Sequence, residues 1–215
     1  MREALEKLLE NPRIWRGNRA HTQQAAGSGL QAITTGYPSL DKHLPGGGWP
    51  RSSLSEIVVE RYGTGELKLV LPALAELTRT QRVVWVAPPY IPYAPALTAR
   101  GIDINNMLVI RPGNATEVLW AGEQCLRSGV CAAVLMWVGT VDEKRLRRLQ
   151  LAAEAGATVG LLFRPPVVLS QTTPAALRLQ LSLDNTKDAP ASAARFVHVR
   201  KSRGGKPVTI RADFL

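Results

Sequence analysis

CAAVLMWVGTVDEKRLRRLQLAAEAGATVGLLF, residues 131–163, decides the fold. Cys131–Val138 is apolar throughout, which suits a strand buried on both faces. Asp142–Ala155 changes period: Leu146, Leu149 and Ala153 fall on one helical stripe, and Lys144, Arg145, Arg147 and Arg148 fall off it. Ala157–Phe163 is a second continuous apolar run. A strand, a helix and a strand in that order form a right-handed crossover in a parallel sheet, because only a helix-length connection can return the chain to the same end.

Working outward, the same alternation repeats. Toward the N-terminus the pattern predicts a helix over Ala115–Ser128, a strand over Met107–Arg111 and a short helix over Tyr93–Arg100. Before these come a strand over Arg82–Ala87, a helix over Glu66–Thr80 and a strand over Ser53–Val59. After Pro165 the texture shifts. Ala176–Leu183, Arg195–Lys201 and Val208–Arg211 alternate with period two, which predicts antiparallel strands with one wet face added to a sheet edge. Residues 2–10 read as an amphipathic helix with Leu5, Leu8 and Leu9 on one side, stopped by Asn11-Pro12. A polar arm follows. The expected organisation is an N-terminal helix and flexible arm over 1–30 and one α/β domain over 31–215.

Lys and Arg number 27 against 17 Asp and Glu, a net charge of +10. A field of that sign suits a polyanion, either nucleic acid or an acidic protein surface, and also serves simple solubility. The two cysteines, Cys125 and Cys131, lack CxxC spacing and a histidine cluster, so no metal site is expected, and a reducing cytoplasm is. The opening residues lack an apolar signal core, and no run reaches the roughly 18 apolar residues of a membrane span; no membrane association is expected. His21, His43 and His198 sit in unrelated contexts, which leaves no catalytic residues to nominate.

Gly63-Thr64-Gly65-Glu66-Leu67 joins a strand to a predicted helix, where a phosphate-binding loop would sit. Phosphate chemistry needs a lysine and a magnesium-binding hydroxyl at the places held by Glu66 and Leu67. A carboxylate there satisfies the helix dipole and repels a triphosphate. No cofactor is expected.

Thr35-Gly36-Tyr37-Pro38-Ser39-Leu40-Asp41, Gly46-Gly47-Gly48, Gly101–Leu108, Leu126-Arg127-Ser128-Gly129 and Val199–Arg203 together resemble the RecA recombinases. The resemblance implies a RecA-like three-layer fold, with a mostly parallel central sheet extended by antiparallel C-terminal strands. Registered on it, the ATPase positions fall at Glu66, Leu67, Pro89 and Trp137, so no enzyme activity is expected, and Trp137 with Trp85 would fill the vacated cleft or simply belong to the core. Within that group, Trp15-Arg16-Gly17, Trp85–Tyr90, Tyr93–Leu97, Leu146–Gly156 and Phe163-Arg164-Pro165 resemble the ImuA family. That likeness implies a non-catalytic accessory of the SOS-induced translesion synthesis mutasome, with ImuB as partner, and RecA, DNA and further copies of the chain as additional candidates. SulA cell-division inhibitors, which act on FtsZ, resemble the middle of the chain and are the alternative.

The residues singled out for DNA or partner binding are Arg200, Lys201, Arg203 and Lys206 in the tail and Arg145 and Arg148 on the predicted helix; solvated faces are the plainer reading of both. Leu5, Leu8 and Leu9 are singled out for docking on another chain or on their own domain.

Overall fold

The computed structural model describes residues 31–183 and 195–213. The expected helix carrying Leu5, Leu8 and Leu9, and the arm to residue 30, lie outside the described residues. A short ribbon pairs β1 (Ala32–Ile33) with β2 (Trp49–Pro50). The main sheet contains β3 (Ser53–Val58), β4 (Arg82–Val86), β5 (Met107–Ile110), β6 (Cys131–Trp137), β7 (Val159–Arg164), β8 (Leu177–Leu183), β9 (Arg195–Ser202) and β10 (Val208–Arg211). Their order is β10-β9-β8-β3-β7-β6-β4-β5. From β8 to β5 every pairing is parallel; the β8–β9 and β9–β10 pairings are antiparallel.

Every residue of β3, β6 and β7 is buried, as central strands covered on both faces require; β6 is apolar throughout, whereas β3 buries Glu56 and β7 ends on buried Arg164. The helices are α1 (Pro38–Asp41), α2 (Leu71–Thr78), α3 (Ala94–Thr98), α4 (Ala115–Arg127) and α5 (Glu143–Ala155). α2 contributes Leu71, Leu74 and Leu77 to the cluster on one face of the sheet. α4 and α5 contribute Leu126, Leu146 and Leu149 to the cluster on the other. Burying one such leucine contributes about 1.5–3 kcal/mol. On α5 the buried stripe is the one its spacing predicts, and Arg145, Arg147 and Arg148 are exposed. Asp142 caps α5 by accepting from the Arg145 amide, and Asn114 caps α4 by accepting from the Glu117 amide.

Two local expectations need correction. β8 is not antiparallel to its inner neighbour: Glu56 of β3 lies opposite Arg178 in a parallel register. The segment after β7, with one turn of 3-10 helix at Pro166–Ser170, crosses the sheet and re-enters in the same direction. Alternation in β8 reports a half-wet face, with Leu177, Leu179 and Leu181 in the core; it carries no information about direction. The helix predicted from Glu66 begins only at Leu71, because the Glu66 side chain bonds back to the loop before it.

The first glycine cluster has a packing role. A Cβ on Gly48 would lie 2.0 Å from the Ile33 carbonyl oxygen, so the β1–β2 ribbon closes only around glycine. Asp41 ties the preceding turn, accepting from the Thr35 amide at 2.9 Å and the Thr34 hydroxyl at 2.5 Å.

Candidate functional site

The loop after β3 is closed on itself. Buried Glu66 accepts from the Gly63 amide at 2.9 and 3.1 Å and from the Thr64 amide at 3.0 Å. Gly63 and Gly65 adopt φ of +84° and +111°, a left-handed geometry that turns successive amides to one side. The resulting anion nest is filled by the chain's own carboxylate. Leu67 packs against the core, and α2 starts too late to aim its N-terminus at the nest. Tyr62, beside this loop, has its phenol pKa raised, first by burial and then by Glu66.

Beyond the nest lies an apolar cleft of about 310 Å³. Trp137 stacks on Phe163 at 4.8 Å and 12°, and meets Trp85 at 5.4 Å and 48°. The two tryptophans wall the cleft rather than fill it, together with Leu67, Leu71 and Leu97. Pro89, exposed, lies on its rim, as do the cationic residues Lys68 and Arg100. The indole N–H of Trp137 is buried without an acceptor among the described residues.

The outer wall of the cleft is a run of apolar side chains facing solvent: Tyr90 is 65% exposed, Ile91 77% and Tyr93 70%. Ile91 also borders a second depression with Ile104, Met107, Val109 and Arg111, so the apolar surface continues onto edge strand β5. Sequence reasoning missed this face. Its signal was present in Pro88-Pro89-Tyr90-Ile91-Pro92-Tyr93, an apolar run whose prolines bar it from a central strand.

A charged row crosses the other face of the sheet. Glu56, fully buried, receives Arg164 at 2.6 Å and Arg178 at 2.5 Å. Arg164 also donates to the Gly139 carbonyl and Arg178 to that of Gln171. Lys201, opposite Arg178 on β9, donates to the Thr173 carbonyl at 2.6 Å. Its pKa is lowered by burial first, then by Arg178. Arg200 bonds the Gln180 side chain at 2.8 Å, while Arg203 and Lys206 are exposed at the β9–β10 turn. Lys201 and Arg178 thus brace the segment between β7 and β8.

Arg145 and Arg148 lie elsewhere, beside a cleft of about 230 Å³ between α4 and α5. Arg148 and Arg127 both pair with buried Glu123, at 2.7 and 3.0 Å, and Arg145 pairs with Asp142 at 3.4 Å. Trp120, 64% exposed, borders this cleft. The structure therefore does not bring the two sets of basic residues into one site. Among the described residues, no group of three His, Cys, Asp or Glu is placed to hold a metal, and no helix is long and apolar enough to cross a membrane.

The family model described as "Cell division inhibitor SulA" matches residues 52–160. SulA of Edwardsiella piscicida is 35% identical over 110 residues, covering 48% of this chain and 64% of that protein. SulA of Yersinia pestis (strain Pestoides F) is 30% identical over 113 residues, covering 52% of this chain and 67% of that protein. The crystal structure of SulA from Pseudomonas aeruginosa aligns with a TM-score of 0.46 at 23% identity, over 52% of this chain and 97% of that one.

The family model and the sequence relatives overturn the ImuA reading. The RecA-like assignment falls with it, as do the role in translesion synthesis and the partner set of ImuB, RecA, DNA and further copies: the region that matches SulA spans β3 to the start of β7. What stands of the fold expectation is an α/β architecture with a mixed sheet. The side chains of the tail point the same way. The tail that favoured ImuA spends Lys201 and Arg200 on bonds within the sheet and its adjoining segment. With its family model matched over half of the sequence and a relative at 30% identity aligned over two thirds of its length, the chain belongs to the SulA family.

Proposed function

We propose that this chain is a SulA-type inhibitor of cell division that acts in the cytoplasm by binding FtsZ and blocking its polymerisation, without catalysis. The observation that carries the reading, beside family membership, is the exposed apolar face of Tyr90, Ile91 and Tyr93, which continues through Ile104 and Val109. Large apolar side chains clustered at a surface mark a protein-binding face, because leaving them in water forfeits the burial free energy that a partner would recover. Lys68, Arg100 and Arg111 border this face, and a net charge of +10 steers an acidic partner toward it. An inhibitor of this kind acts by occupying an assembly surface, so its effect follows stoichiometry.

The test is FtsZ polymerisation followed by light scattering and by sedimentation. Polymer mass is expected to fall in proportion to added protein, with loss of the effect in the Tyr90→Ser/Tyr93→Ser double variant at unchanged melting temperature. Normal polymerisation in molar excess of the wild-type chain would defeat the reading.

A further inference from the structure

The cleft behind the exposed face has features that the face alone does not need. Its inner wall is two tryptophans, and its remaining lining is largely aliphatic and aromatic. A volume of about 310 Å³ lies at the lower end of the range for pockets that enclose a ligand group. Trp137 is more than nine-tenths buried, yet its N–H has no acceptor among the described residues, an arrangement that costs free energy until an acceptor arrives. Glu66 lines the cleft too, but its carboxylate is engaged by the Gly63 and Thr64 amides, whereas Arg100, exposed on the rim, offers an occupant a cation.

From this chemistry we propose that the cleft is the anchor site of the binding face. It takes a flat or branched apolar side chain of the partner, presented beside a carboxylate. The apolar group packs between Trp85, Trp137 and Leu97. The carboxylate lies toward Arg100, and an oxygen of the inserted segment accepts from Trp137. This rests on the reading of the chain as an FtsZ-binding protein, to which it adds the chemistry of the residue that FtsZ inserts. A buried anchor filling a preformed pocket concentrates binding energy in a few contacts, whereas the flat remainder of the surface excludes water.

Anilinonaphthalene sulfonate combines an aromatic body with an anion and accepts excitation energy from tryptophan, so it serves as a probe that does not depend on FtsZ. Titrated into the full chain, it is expected to bind one saturable site and to quench tryptophan emission. Ala96→Trp, which places a large side chain at an exposed position lining the cleft, should weaken that binding by about thirtyfold or more. Arg100→Ala should weaken it several-fold, and added FtsZ should displace the probe. Thermal melting of both variants checks that they fold. A probe that fails to bind, or that binds the folded Ala96→Trp variant as tightly as wild type, would overturn the anchor site. If the probe binds in the cleft while FtsZ binds the chain without displacing it, the assignment of the partner's anchor to this cleft is wrong and the FtsZ reading survives. If the probe binds and the wild-type chain does not bind FtsZ at all, the functional reading fails and with it the identity of the anchor's donor.

Discussion

Glu56 on β3 and Arg164 at the end of β7 face each other at 2.6 Å with neither side chain exposed. The carboxylate's other oxygen holds Arg178, whose Nη2 is buried with no partner among the described residues, so two guanidinium groups share one buried anion. Removing the anion leaves two cations in a low-dielectric interior. Glu56→Gln is therefore expected to destabilise the fold by about 3–5 kcal/mol, measured by urea unfolding. A loss below about 1 kcal/mol would show that water reaches the triad.

Glu66 does for the glycine loop what an external anion does in a phosphate-binding loop. Glu66→Ala strips acceptors from the Gly63 and Thr64 amides and should cost about 1–3 kcal/mol. Glu66→Gln keeps an acceptor oxygen and should lose less. Equal losses in the two variants, compared by thermal unfolding, would show that the nest does not depend on that acceptor.

Two glycines in the α4–α5 layer separate backbone from side-chain crowding. A Cβ on Gly156 would lie 2.0 Å from the Leu126 carbonyl oxygen, whereas one on Gly122 would lie 2.0 Å from the terminal methyl of Met136. A thioether chain can swing aside and a helix backbone cannot. Gly122→Ala should cost about 1–3 kcal/mol, and Gly156→Ala should cost more. The reverse ranking in chemical denaturation would show that the two helices slide apart more readily than Met136 repacks.

His198 bridges the outer strands, its ring nitrogens 2.8 Å from Ser182 Oγ and 2.9 Å from Thr209 Oγ1. Burial, and then the nearby Arg200 charge, hold its pKa below the ordinary 6.5. The folded state thus binds this proton less readily than the unfolded chain. The stability this gives is complete above pH 6.5 and is lost as pH falls through the lowered folded value. Unfolding midpoints from pH 7.5 down to about 5 should decline, and His198→Gln should flatten that decline. An identical slope in the variant would assign it to other groups.

Much of the fold was legible because its signals are local. The all-apolar runs at Cys131–Trp137 and Val159–Phe163, and the stripe of Leu146 and Leu149, announce strand, helix and strand whatever surrounds them. The direction of β8 was not legible, since Leu177, Leu179 and Leu181 alternate identically in a parallel or an antiparallel register. Family membership was misjudged for a related reason: short glycine and basic motifs carry little information about which of two related families owns them, while the longer match over 52–160 carries more.

The sequence by itself determined the alternation of strands and helices, the buried stripes, and a glycine loop without the cations that phosphate requires, because each follows from residues a few positions apart. Tertiary structure alone decided the rest. Glu56, Arg164 and Arg178 meet only because β7, β3 and β8 are neighbours. Trp85 and Trp137 wall a cleft only because β4 lies beside β6, and Tyr90, Ile91 and Tyr93 face solvent only because no described element packs over them. Burial and pairing depend on what the rest of the chain brings near, which no local pattern encodes.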